Sequence, residues 1–499
     1  MRCTEMSSTP AAAVPAWHAF AAVLLIHLAV NSWWLLSDAL LSDDYSLFDP
    51  AETFPAMTES FFRPLYRQAA LVLQAVALAS PDGVVVLKAI HLVLAGTFAA
   101  TVAAFAAQLS RSAAVGIGAG ILVAFGFGQQ INNVWLNILP QFPTYILATA
   151  AVWSIAVAAR GPMVRALTVT LAVGAVMTGS MFLYQMAPIY MIGLVALYIV
   201  LTRDDDRAVI ATVALSAIAV LLALGVYLIA LMTTVAAGAT DGRAAAVMSI
   251  PILVARLAAV RPDYGMLWGY PLLDLDTVRW FVPALVAIGG LASIVASPAR
   301  ASTALRWAAA IVATAAALLV PAMLNDFQGA ARLYIPGSIG IAGLLLAGAI
   351  GLGATVTGAR AIRSLRLASA TVMAAVVATA LAATVSGIGL AQHAEVQFIR
   401  SQIAGRPLTE SKGIYVLPPG ADVPFWAHPA NRNKPDLYAL GMSAYHAWAM
   451  VGLVRYAIRH ADPGHAVRVY VGPPRIAPPP EWAVVDMRIY DRALSRFPR

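Results

Sequence analysis

Two adjacent carboxylates, Asp43 and Asp44, stand in the run Ser42-Asp43-Asp44-Tyr45, with Asp49 and Glu52 close behind. Only 11% of the 499 residues are charged, which makes such a pair conspicuous. Beside an apolar segment it costs desolvation unless it is solvated, paired or bound to a metal. It suits two kinds of chemistry. One carboxylate can take the proton of an attacking hydroxyl as a general base. The two together can hold a divalent cation, magnesium or manganese, that screens a leaving phosphate. A solvated acidic loop would have the same composition. Further along comes Phe61-Phe62-Arg63-Pro64-Leu65-Tyr66-Arg67. The planar guanidinium fork matches phosphate oxygens, so Arg63 and Arg67 would grip a lipid phosphate at a headgroup surface. The same run also reads as interfacial anchoring, with aromatics at headgroup depth and arginines snorkelling.

Other polar residues carry weaker signals. Gln129, Gln130, Asn132, Asn133, Trp135 and Asn137 cluster between two apolar stretches, where amides glue helices together or contact a sugar. His27 and His91 lie within apolar stretches and read as hydrogen-bonded to neighbouring helices. Asp204-Asp205-Asp206, between Arg203 and Arg207, reads as a solvated turn. Asp263, Tyr264, Trp268 and Tyr270 would stack on a sugar ring or form an aromatic belt, and Trp426, His428 and Asn431 would touch an acceptor. No P-loop, Gly-x-Ser-x-Gly or dinucleotide fingerprint stands in its required context, which argues against a nucleotide-driven pump and a nucleotide-sugar enzyme. The single cysteine, Cys3, excludes an intramolecular disulfide.

The elements that must position these residues are apolar. The chain is 61% hydrophobic with a mean hydropathy of +0.78, whereas a soluble domain carries about 25% charged residues. Stretches long enough to cross a hydrocarbon core of about 30 Å recur at 15–37, 84–109, 113–131, 138–159, 163–183, 187–202, 208–233, 278–297, 304–324, 333–354 and 367–391. The fold class is therefore an all-α polytopic membrane protein of about eleven spans. The first span is too long for a cleaved signal peptide and reads as a signal anchor. With the N-terminus cytoplasmic, the inner turns hold Arg111, Arg160 and Arg165, Arg203 and Arg207, Arg300 and Arg306, and Arg360, Arg363 and Arg366. That satisfies the positive-inside rule and makes the net charge of +8 an orientation signal, not a nucleic-acid footprint.

The long segments are then external: 38–83, 234–277 and the tail 392–499, following a core of 1–391. Within the first, Arg67–Ala79 is too short to span; bounded by Pro64 and Ser80-Pro81, it reads as an interfacial helix. The tail reads as a small extracytoplasmic α/β unit, with strands at Ile414–Leu417, Val467–Val471 and Val484–Ile489 and a helix over Leu437–Arg459.

An acidic pair just after the first span, followed by Arg63-Pro64-Leu65 opening an interfacial helix, resembles the first outer loop of GT-C glycosyltransferases, most of all the O-antigen glucosyltransferase type. Tyr184-Gln185 at the outer end of the fifth span, and Asn325-Asp326 with Arg332 near the tenth, extend the likeness. The arginine that the family carries soon after its acidic pair is missing, and Tyr45-Ser46-Leu47-Phe48 stands there instead. The resemblance implies transfer of a sugar from a polyprenyl-phosphate donor to an envelope glycan or lipid acceptor, on the outer face of the cytoplasmic membrane. Asp43 or Asp44 would be the base or a metal ligand. Arg63, Arg67 or Arg332 would stabilise the departing phosphate; Tyr66, Tyr184, Gln185 and Asp326 would line the substrate; and the tail would present or select the acceptor. A secondary transporter or flippase, and a non-catalytic envelope assembly protein, are the other classes the composition admits.

Overall fold

The computed structural model describes residues 16–40, 42–49, 63–236, 281–319, 335–385, 389–406, 413–418, 447–462, 467–472 and 479–489, with the single positions 251 and 408. In lipid every backbone polar group must be bonded within the protein, and a helix does this inside one segment. In chain order the helices are α1 (Ala16–Asn31), α2 (Trp33–Leu36), α3 (Pro64–Ala79), α4 (Gly83–Ser110), α5 (Ala113–Ala124), α6 (Phe127–Asn132), α7 (Phe142–Ala158) and α8 (Met163–Leu183). They continue as α9 (Ala187–Leu201), α10 (Asp206–Ala236), α11 (Phe281–Ala296), α12 (Arg300–Leu319), α13 (Ile335–Thr355), α14 (Ala359–Thr384), α15 (Leu390–Ile403) and α16 (Ala447–Ile458). Among the described residues, eight helical stretches are long and apolar enough to cross a membrane. The chain is thus a multi-pass, all-α membrane protein. The shorter apolar helices α5, α9 and α11 stand where the third, sixth and eighth spans are expected.

The expected third span is interrupted. α5 ends at Ala124, Phe125 leaves helical geometry, and α6 adds only a short further piece. A 3₁₀ turn, Leu136–Gln141, then leads into α7. Gly126 and Gly128 weaken the helix and Pro140 lacks a backbone donor, so the sequence cannot carry one straight rod here. Irregular backbone of this kind is tolerated at membrane depth only where protein satisfies it. The last span also differs from expectation. α14 begins at Ala359, so Arg360, Arg363 and Arg366 lie in its first turns and not in a connecting loop.

Close packing depends on small residues, as in other helix bundles within lipid. A Cβ at Gly193 of α9 would overlap the Pro336 carbonyl of α13, and Gly289 of α11 faces Gly348 of α13 backbone to backbone. At the turn between α9 and α10 the acidic run is ion-paired, not merely solvated. Asp204 accepts from Arg160 at 2.7 Å and from the Tyr198 hydroxyl at 2.8 Å, and Asp206 pairs with Arg306 at 2.7 Å.

α3 spans Pro64–Ala79, with the expected proline at its first position. It buries Tyr66, Ala70, Leu73, Gln74 and Ala77 on one face and exposes Leu65 and Val72 on the other. Ahead of it lies a 3₁₀ segment, Ser42–Phe48, that carries the acidic pair.

The C-terminal end holds a three-stranded sheet, β1 (Ile414–Leu417), β2 (Val469–Val471) and β3 (Ala483–Asp486), in the order β2-β1-β3. Both pairings are parallel, Ile414 opposite Val469 and Ile414 opposite Ala483. β1 is buried throughout, which its β-branched, aromatic and aliphatic run dictates. The third strand ends at Asp486, and Met487–Ile489 turn helical instead of extending it. The expected helix is found over Ala447–Ile458, and its first ten expected positions, 437–446, lie outside the described residues.

Candidate functional site

The 3₁₀ segment and the irregular stretch before α7 are held together by one side chain. Asp44 is fully buried, and its Oδ2 and Oδ1 accept the backbone N–H groups of Leu136 and Asn137 at 3.0 and 2.8 Å. These donors open the Leu136–Gln141 turn, where N–H groups have no partner within the turn, so a carboxylate meets both the missing bonds and the local dipole.

Asn137 joins this clamp to the next residue. Its carbonyl accepts the Tyr66 hydroxyl of α3. Burial raises the Tyr66 hydroxyl well above the usual phenol range, against the charge of Arg63 and a hydrogen bond with Gln141, while the Asp44 charge adds to the rise. Tyr66 is therefore a neutral donor standing near both an acidic and a basic group.

Arg63, at the entry to α3, donates from Nε to Gln185 Oε1 at 2.5 Å, and its guanidinium lies 5.1 Å from the Tyr184 ring centre. Gln185 in turn donates to the Tyr227 hydroxyl of α10 at 2.9 Å. Tyr145 of α7 donates to Gln141 Oε1 at 2.9 Å, meets the Tyr184 ring at 6.0 Å and stacks on Tyr190 at 3.8 Å. The result is a wall of phenols and amides around one guanidinium whose plane is fixed by an amide and an aromatic face. In a desolvated setting such a group attracts a phosphate far more strongly than in water.

Among the expected residues, Asp44, Arg63, Tyr66, Tyr184 and Gln185 thus come together from 3₁₀ segment, α3 and the α8–α9 turn. Arg67 lies one turn along α3 from Arg63 and is half-buried. The Asp43 side chain, Glu52, Asp326, Arg332, the aromatic residues of 263–270, and Trp426, His428 and Asn431 lie outside the described residues. Gln141, Tyr145, Tyr190 and Tyr227 were not expected; the only sequence signal was a tyrosine recurring near the ends of successive spans. The amide cluster is buried and bonded locally: Gln129 donates to Asn133 Oδ1 at 3.0 Å, and Asn133 to the Ala124 carbonyl at 2.9 Å. These bonds brace the break between α5 and α6. His91 bonds the Asn132 carbonyl at 2.7 Å, and Asn31 approaches His27.

Both Asp44 carboxylate oxygens face backbone donors, and among the described residues no group of three or more His, Cys, Asp or Glu is placed to hold a metal. No protein-family model matches the chain. No curated protein matches it significantly either.

Proposed function

We propose that the chain is a membrane glycosyltransferase that moves a sugar from a polyprenyl-phosphate donor to an envelope glycan or lipid acceptor at the outer face of the membrane. The observation that supports this reading best is the convergence of Asp44, Arg63, Tyr66, Tyr184 and Gln185, which are up to 141 positions apart, around one buried polar wall. In the proposed step an acceptor hydroxyl attacks the anomeric carbon, the bond to the phosphate oxygen breaks, and polyprenyl phosphate departs. Arg63, with Arg67 and Arg332, stabilises the charge that develops on the phosphate. Asp43 takes the hydroxyl proton, and Asp44, committed to two backbone donors, positions the segment that carries it.

The transporter reading draws on Lys88, His91 and His27, which are buried inside spans. Lys88, however, donates to the Ser37 and Trp34 carbonyls at 2.7 and 3.2 Å, and His91 to the Asn132 carbonyl at the end of α6, so both serve as helix ties.

The test uses purified wild type, Asp43→Ala and Arg63→Ala with a radiolabelled polyprenyl-phosphate hexose or pentose and envelope extract as acceptor. Label transfer by the wild type, falling about 10²-fold or more in Asp43→Ala, supports the reading. Equal transfer in all three moves the chemistry elsewhere. No donor consumed under any condition returns the transporter and assembly classes.

A further inference from the structure

Asp38, two residues beyond the first span, is the hub of an ion network that reaches the far end of the chain. Its Oδ2 accepts Arg400 Nη1 at 2.6 Å and Gln397 Nε2 at 3.2 Å, both from α15. Its Oδ1 accepts Arg459 Nη2, just after α16, at 3.0 Å. Arg459 also lies 3.9 Å from the Tyr456 ring centre and donates to the Pro81 carbonyl at 3.3 Å. It therefore ties both ends of the first outer segment to the tail. From below, Lys88 holds the Ser37 and Trp34 carbonyls.

The acidic segment itself is packed against the same tail helix. Tyr45 and Phe48 lie 5.7 and 5.0 Å from the Tyr456 ring. The Tyr45 hydroxyl donates to Gln392 at 3.4 Å, and a Cβ at Gly452 would overlap the Tyr45 carbonyl. Successive residues of a 3₁₀ turn project about 120° apart. Asp44 accordingly faces the membrane core while its neighbour Tyr45 faces the tail. Residues 44–48 fill the space between the two.

We propose that the tail is a working part of the active site: docked through Asp38, Arg400 and Arg459, it presses α16 onto the Ser42–Phe48 segment and so positions the acidic pair. Asp38, Arg400, Arg459 and Gly452 are positioning residues, and their role in catalysis rests on the transferase reading. The tail's docking replaces a purely acceptor-presenting role with one that acts on the chemistry.

The experiment compares the full-length wild type with Asp38→Asn, Asp38→Glu and Gly452→Val in detergent. Amide hydrogen exchange over residues 42–48 is measured beside kcat and KM for the polyprenyl-phosphate sugar. In Asp38→Asn and Gly452→Val, exchange in this segment should rise about tenfold or more while the spans keep their protection. kcat should fall about a hundredfold with donor KM within about twofold, and Asp38→Glu should recover most of it. Unchanged exchange at 42–48 in both variants overturns the proposal, as does raised exchange with full kcat. An inactive wild type with raised exchange in the variants sinks the transferase reading and leaves the docking intact. Two different substitutions, one of charge and one of shape, guard against a single variant that fails to fold.

Discussion

Replacing Asp44 by alanine should destabilise the protein through its backbone, apart from any effect on transfer. The substitution leaves the N–H groups of Leu136 and Asn137 buried without their acceptor. Each orphaned donor costs about 1–3 kcal/mol, so the pair costs about 2–6 kcal/mol. Asp44→Asn keeps one acceptor oxygen and turns an NH₂ toward the other backbone donor, which gives about half that loss. Unfolding entropy of about 2.1 cal/mol/K per residue, over a chain of 499 residues, amounts to about 1 kcal/mol per kelvin. For a chain that melts as one unit, Asp44→Ala therefore lowers Tm by about 2–6 °C, and Asp44→Asn by about 1–3 °C. The assay is thermal melting in detergent followed by tryptophan fluorescence, with label transfer measured on the same samples below the transition. Asp43→Ala serves as the comparison, with transfer lost at unchanged Tm. An Asp44→Ala protein that melts within half a degree of the wild type would refute the clamp, since two buried donors cannot lose their acceptor without cost.

Other perturbations probe separate contacts. Burial by itself raises the Asp38 carboxyl, but hydrogen bonds and charges from Arg400 and Arg459 outweigh that and hold it at about 2, from an ordinary 3.8. The docked tail thus binds fewer protons than the undocked one between these values. The pair contributes about 2 kcal/mol that is present above pH 3.8 and lost as pH falls toward 2, and spin-label distances between the tail and α4 should lengthen over that window. Gln185→Leu removes the acceptor that orients Arg63, a charge-assisted bond worth about 1.5–3 kcal/mol, so donor KM should rise about tenfold or more in steady-state transfer assays. An unchanged KM would take Arg63 out of the donor site. Gly193→Val drives a side chain into the Pro336 carbonyl, and size-exclusion chromatography after extraction should show loss of the monodisperse peak.

How much of this was legible in the sequence depended on the range of the interaction. β1 was readable because four consecutive apolar residues, buried in a central parallel strand, leave no other pattern. α3 was readable from Pro64 and Ser80-Pro81 alone, since proline and its neighbours fix local backbone whatever the surroundings. The break after α5 was not, because the run 113–131 is mostly apolar and reads as one span even though Gly126 and Gly128 stand against a straight helix. The contact that receives the irregular backbone, Asp44 with Leu136 and Asn137, joins distant positions and has no local signature. Asp38 escaped notice for the same reason. A lone aspartate after a span has the composition of a solvated loop, and its partners stand 362 and 421 positions away. The acidic pair was read as a unit of chemistry, yet one of its members is spent on backbone donors that no motif announces. Local rules therefore find elements and single out unusual residues. What those residues do is set by contacts between distant segments, and in this chain the segment with the strongest chemical signature is also the one gripped from both sides, by the core through Asp44 and by the tail through Tyr45, Phe48 and Gly452.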